Sequence, residues 1–239
     1  MQASYVAVHV EEDRLHWWFR GRLAVLLAVL RRELPPHPVR LLELGCGTGN
    51  VLGALQAFGE AVGMEPNAEL RAVAQAAGLD VRVGKLPGET GVEPGWADVV
   101  LLLDVLEHLD DEHGSLRTAY GALRPGGMLV VTVPAYPWLW SGHDEALGHR
   151  RRYTARSLSR ALHGAGFAVA GTSYFNALLF PAIALVRTLH RLGGAPGHDL
   201  RRPSDAVNRL LERVLALEGH VVPRVRLPFG ASVLAIARR

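Results

Sequence analysis

The stretch Leu41 to Gly49, Leu-Leu-Glu-Leu-Gly-Cys-Gly-Thr-Gly, constrains this chain more than any other. Three glycines at alternate positions follow an apolar run, which describes a strand ending in a turn too tight for side chains. Glycine permits positive φ and lets a ligand lie against the main chain, while Val51 to Phe58 supplies a helix whose free N–H groups face it. This is the first βα turn of a nucleotide-binding α/β sheet. Gly45, Gly47 and Gly49 give G-x-G-x-G, whereas a dinucleotide fingerprint places its third glycine where Asn50 stands. The spacing therefore suits a smaller, phosphate-free ligand better than a pyrophosphate.

Glu60-Ala-Val-Gly-Met-Glu65 reads as a second short strand ending in an acid, and a carboxylate there can accept both hydroxyls of a ribose. With Glu43 two residues before the first glycine, the pattern resembles the class I S-adenosylmethionine (SAM)-dependent methyltransferases. In that family the first strand carries E/D-x-G-x-G-x-G and the second ends in an acid. The resemblance continues through Asp98-Val-Val-Leu-Leu-Leu-Asp104-Val-Leu-Glu-His108 and Leu123-Arg-Pro-Gly-Gly-Met-Leu-Val-Val-Thr-Val133, and covers Leu41 to Val169.

The resemblance implies an α/β fold with a Rossmann-like seven-stranded sheet, helices on both faces, and the seventh strand antiparallel between the fifth and sixth. It implies SAM as cofactor, held around Glu43, Gly45, Cys46, Gly47, Gly49, Glu65 and Pro66, with Asp104 and Val105 at its methyl end. Many relatives place an acid for the adenine amino group near Gly84-Lys85-Leu86-Pro87, and here it is missing, so adenine recognition rests on backbone near Leu86 and on apolar stacking. In similar enzymes a helix before the first strand closes over the cofactor, which makes His16, Trp17 and Arg20 lining candidates. The alternative is that Trp17 and Trp18 only anchor this helix on the core.

In order, 1–38 form an N-terminal helical cap, 39–174 the core, 175–228 a helical insertion and 229–239 the last strand, all within one domain. The cap helix spans Glu11 to Arg32 and stops at Pro35-Pro36. Strands are expected at Val39–Leu44, Ala61–Met64, Asp80–Val83, Asp98–Leu103, Met128–Val133, Phe167–Tyr174 and Ala231–Ala237, with a turn at Arg124-Pro-Gly-Gly127 launching the fifth. The insertion reads as two helices, Ala177–Leu192 and Asp205–Glu218, joined by a Gly/Pro-rich link. The first is apolar through Val186, then basic at Arg187, His190 and Arg191; the second repeats Val207, Leu210, Leu211, Val214 and Leu215 at helical spacing.

Composition narrows the partners. Of 239 residues 49% are hydrophobic, enough for a substantial core, and the net charge of +3 is too small to argue for nucleic acid. Amino-group methyltransferases acting on bases resemble one another in D/N-P-P-Y/F after strand four, where this chain has Asp104-Val-Leu-Glu107. The one cysteine, Cys46, precludes an internal disulfide and fits a reducing compartment; between two glycines it suits a space-filling role, with a reactive thiol as the alternative. Met1 to Glu12 shows no secretory n-region, and neither Leu23–Leu30 nor Ala177–Val186 reaches the roughly twenty residues of a membrane span. The expected location is cytoplasmic, with peripheral contact at the inner membrane face left open.

The chemistry sits after strand four, because ligands of open α/β sheets lie beyond the carboxyl ends of the strands. An unperturbed imidazole titrates near pH 6.5, suited to taking a proton from an acceptor, so His108 is the first base candidate, with His143 and His149 in the aromatic loop following. A histidine bonded only to backbone is the alternative. Glu107, His108, Asp110, Asp111 and His113 are of metal-ligand type but not spaced as a recognisable site, so no metal is expected. The resemblance to the ubiquinone and menaquinone pathway type implies O, N or C methylation of a small or lipid-linked acceptor. Two rivals keep the same sheet: a non-catalytic SAM-fold protein associated with a membrane or partner, and an NAD-dependent oxidoreductase.

Overall fold

The computed structural model of the chain describes residues 12–193 and 202–239. Met1 to Glu11, where the N-terminal reading began, and most of the link between the insertion helices, with Arg201, lie outside the described residues, as do the side chains of His190 and Arg191. Seven strands form one sheet: β1 (Val39–Leu44), β2 (Gly59–Met64), β3 (Val81–Arg82), β4 (Ala97–Leu103), β5 (Leu123–Pro134), β6 (Ala168–Phe175) and β7 (Ser232–Arg238), in the order β3-β2-β1-β4-β5-β7-β6. Strands β1 to β5 pair in parallel, and β7 runs antiparallel to both β5 and β6. The Rossmann-like topology is the one expected.

Period-two alternation builds two cores from one sheet. Leu42 and Leu44 of β1 with Val100 and Leu102 of β4 face one side, where α4 (Glu112–Ala122) and α6 (Ala155–Gly164) pack through Leu116, Ala119, Leu158 and Leu162. Leu41, Val99, Leu101 and Leu103 face the other, covered by α1 (Trp17–Glu33), α2 (Asn50–Leu55) and α3 (Ala68–Ala76) through Leu26, Leu30, Leu52 and Ala74. Burial on both faces explains the unbroken apolar run of β4.

Three local expectations are corrected. The cap helix is interrupted: the chain bends at His16, whose Nδ1 accepts the Trp18 N–H at 3.2 Å and caps α1. The turn at Arg124–Gly127 is drawn into β5, because Gly126 N–H donates to the Arg239 carbonyl and Arg239 N–H to that of Gly127. The first insertion helix, α7 (Phe180–Gly193), starts later than Ala177, since buried Glu218 accepts the N–H groups of Ala177 and Leu178 at 2.7 and 2.9 Å and holds them out of the helix. The second, α8 (Asp205–Leu217), lies against α1: Leu215 packs over Gly21, and Asn208 bridges the bend by accepting from Trp17 N and donating to the Leu15 carbonyl.

Candidate active site

The carboxyl ends of β1, β2 and β4 open into a cavity of about 660 Å³ roofed by α1, α7 and α8. Its floor is the glycine turn, pinned to β2 by Gly45 N–H and Cys46 N–H, which donate to the Met64 carbonyl at 2.7 and 3.1 Å. Gly45 has φ +77° and a Cβ there would strike Val105; Gly47 has φ +55° and nothing within 4 Å of the same point, so its open side is the cavity itself. Glu65, 5% exposed, ties the two turns together by accepting Gly47 N–H at 2.9 Å on one oxygen and Asn67 N–H at 2.8 Å on the other. Each oxygen keeps a second lone pair for a ligand. Burial raises its pKa, and the two N–H groups work against that.

Glu43 has the same parity as Leu41 and so faces α1, where Arg22 waits. The Arg22 guanidinium binds the Asp104 carboxylate, linking the cap to the end of β4. Burial alone would lower the Arg22 pKa, but Asp104, Asp13 and Glu43 outweigh it and raise it. Burial pushes Glu43 up to about 8 even with Arg22 beside it. Asp104 sits at φ +56°, a left-handed conformation that aspartate tolerates better than most residues and that is found where strain serves a site. Asp13 accepts the Thr48 hydroxyl hydrogen bond, and its carbonyl accepts from Asn50 at 2.8 Å, so the cap seals the glycine turn from above.

At the far end of β4, His108, His149 and His143 converge. The His108 and His149 rings lie edge to face at 4.7 Å, and His143 meets His149 at 6.5 Å. His149 follows α5 (Gly142–Leu147), and its Nδ1–H donates to Asp144 at 2.8 Å, which leaves Nε2 as the nitrogen with a lone pair. Asp144 is fully buried and accepts from Arg152 at 2.7 Å and from Ser141 N at 2.9 Å; burial would raise its pKa, but the His149 bond and Arg152 hold it well below the usual carboxylate range. Glu107 is 1% exposed with neither carboxylate oxygen hydrogen-bonded among the described residues, and burial, then Asp104, pushes it well above the ordinary value. Glu107, His108 and His149 offer ligand atoms all within 4.8 Å of one another, a set suited to a divalent ion. The absence of a recognisable spacing after β4 thus gave no sign of this cluster, because its third member comes from a distant loop. Asp110 instead pairs with Arg150, and Asp111 caps α4.

Of the predicted cofactor residues, Trp17, Glu43, Gly45, Cys46, Gly47, Glu65, Asp104 and Val105 line the cavity, as do His16, His108, His143 and His149. Arg20, Gly49, Pro66 and Leu86 are not among its lining: Arg20 is exposed and pairs with Glu212 at 3.1 Å, and Leu86 packs into the core. The Cys46 thiol packs on Gly63, and burial together with Glu43 and Glu65 raises its pKa, which favours the space-filling role. Sequence reasoning missed Arg22, Asp13, Asn176 and Asn208. Arg22 and Asn208 did carry a signal, each being a polar residue on the apolar stripe of its helix, with Leu26 and Leu30 or Leu211 and Leu215.

A glycine-turned doubly wound sheet with a cleft beyond its parallel strand ends defines a Rossmann-like α/β fold of the nucleotide-binding kind. Residues 15–171 match the family described as Methyltransferase domain. The chain belongs to that methyltransferase family. A ubiquinone biosynthesis O-methyltransferase of Methylobacterium nodulans is 32% identical over 162 residues, covering 60% of this chain and 65% of that protein. A probable S-adenosylmethionine-dependent methyltransferase of Mycolicibacterium smegmatis is 31% identical, covering 66% and 62%. The chain thus spans a little under two thirds of these relatives. In fold it is similar to a SAM-dependent methyltransferase from Thermotoga maritima described as a possible histamine N-methyltransferase, with TM-score 0.62 at 19% identity and coverage of 100% and 99%.

Proposed function

We propose that this chain is a SAM-dependent methyltransferase acting, as one domain, on an O, N or C atom of a small or lipid-linked acceptor. The observation that carries this is Glu65: one buried carboxylate fastens both turns and still presents lone pairs beside the open face of Gly47. The residues fit the cofactor. Glu65 would accept the ribose hydroxyls. His16, whose Nδ1 already accepts a hydrogen bond, carries its proton on Nε2, a buried donor without a partner among the described residues. Arg22 Nε and Glu43 Oε2 are further buried polar atoms without partners there, available to the charged groups of an amino acid moiety. When bound, SAM supplies a methyl group already activated by its sulfonium.

The chain's own task is to align the nucleophile, exclude water and take a proton. His149 Nε2 accepts that proton, while Asp144 holds the ring in the required tautomer and stabilises its positive charge. The roof helices α1, α7 and α8 exclude water. A second reading is favoured by Glu107, His108 and His149 together: a divalent ion held there would bind the acceptor oxygen directly.

Calorimetry with SAM and its demethylated product tests the reading. Glu65→Ala should weaken binding by about 1.5–3 kcal/mol, roughly ten- to hundredfold, and Glu65→Gln, which keeps one acceptor oxygen, by less. Tight NAD binding with no SAM binding would sink it. Peripheral membrane contact is part of the proposal: no helix among the described residues is long and apolar enough to cross a membrane, yet Leu178, Leu185 and Leu189 are 60%, 60% and 56% exposed around α7. Cosedimentation with anionic vesicles should fall when these three become Ser; a wild-type chain that stays in the supernatant at low salt removes the membrane from the reading.

A further inference from the structure

Strand β6 is antiparallel to β7, which is itself antiparallel to β5, so β6 runs parallel to β4 and its carboxyl end meets the same edge of the sheet as Asp104 and the glycine turn. Asn176 follows that end and lines the cavity. In the order β4-β5-β7-β6 it stands three strands beyond Asp104, on the side away from β1 and β2. At the usual strand spacing that is about 14 Å. Pro134, Ala231 and, from the α7 side, Leu179, Ala182, Ile183 and Val186 give this part of the cavity an apolar wall.

The Asn176 backbone is fully engaged and its amide oxygen is not. Its N–H donates to Glu218 and its carbonyl accepts from Ala231 N at 3.3 Å, which holds the residue at φ +58°. Glycine would meet that left-handed conformation without burying a polar group. Asparagine also tolerates it, but here, at 1% exposure, it leaves an amide oxygen without a hydrogen bond among the described residues. An unpaired buried amide is costly, and the cavity beside it is where a partner can enter. The terminal torsion of asparagine is soft, so the amide can turn toward an arriving donor at little cost.

We infer that Asn176 is a specificity-determining residue for the acceptor, its amide oxygen taking a hydrogen bond from a neutral O–H or N–H group on an elongated apolar molecule whose reacting atom lies beside the end of β4. The inference rests on the cavity being a methyltransferase site. A site built to accept such a bond rejects the analogue without the donor, because the amide is then left buried and unpaired.

The full chain, saturated with S-adenosylhomocysteine, is titrated calorimetrically with n-octanol and with methyl octyl ether, whose oxygen cannot donate. Octanol should bind at least about fivefold more tightly than the ether. Asn176→Gly, which keeps the left-handed backbone and removes the amide, should bring the two within about twofold. Equal binding of both probes to the parent chain, or an unchanged preference in Asn176→Gly, would overturn the inference. Failure of the parent chain to bind either probe would overturn the apolar path to Asn176, and loss of both probes in Asn176→Gly would show that the side chain shapes the wall rather than reads a donor. Binding of S-adenosylhomocysteine is measured first and separately: its absence from the parent chain removes the methyltransferase reading, whereas its retention in Asn176→Gly shows that the variant is folded.

Discussion

Arg22, on the helix that precedes the first strand, forms an ion pair with Asp104, the residue that follows the fourth. The two side chains are 10% and 23% exposed, so neither charge is well solvated without the other. The cap is thus fastened to the cavity edge of the sheet by charge as well as by packing.

Arg22→Met should therefore destabilise the chain by about 3–5 kcal/mol, the usual cost of leaving a buried charge unpaired. Asp104→Asn in the same chain should recover part of that. Urea unfolding of both single variants and the double variant gives the coupling; additive losses would show that the pair does not hold the cap.

Glu43 makes stability depend on pH in a definite direction. Its folded pKa is raised from 4.5 to about 8, so the folded chain binds the proton more tightly than the unfolded one. The contribution is fully present below about pH 4.5 and is lost as pH rises toward 8. Glu43→Gln should gain stability at pH 8 relative to the parent, with little difference at pH 4.5. A gain equal at both pH values would contradict the assignment.

His149 is held by the Asp144 carboxylate behind its ring. His149→Ala should lower turnover of labelled methyl into extracted acceptors about a hundredfold or more at unchanged SAM affinity. His108→Ala should cost less. Wild-type turnover should survive EDTA; loss with EDTA and recovery with a divalent ion would instead make Glu107, His108 and His149 a ligand set.

Gly21 lets α8 approach α1: a Cβ there would lie 2.8 Å from three atoms of Leu215. Gly21→Ala should cost about 1–3 kcal/mol through overpacking, despite alanine's better helix propensity. The loosening should appear first as faster amide exchange in α8. Unchanged exchange would mean that the insertion is held elsewhere.

The sheet was legible because its signals are local. The apolar runs of β1 and β4, the alternate glycines and the acids ending β1 and β2 each lie within a few residues, and backbone sterics translate them directly into strand, turn and helix. The antiparallel β7 was anticipated only through resemblance, since strand order leaves no trace in periodicity. Helix boundaries shifted where a distant group intervened, as Glu218 does at Ala177 and Leu178.

The amino-acid order alone determined the α/β class, the glycine turn, the acid that follows the second strand and the presence of a helical insertion before the last strand. The tertiary structure decided that Arg22 answers Glu43 and Asp104, that Asp144 orients His149, and that Asn208 joins the insertion to the cap. The physical reason is that burial makes a polar group depend on whichever partner the fold carries to it. Those partners stand far apart along the chain, as Asn208 and Trp17 do at a separation of 191 residues, where no periodicity or spacing can register them.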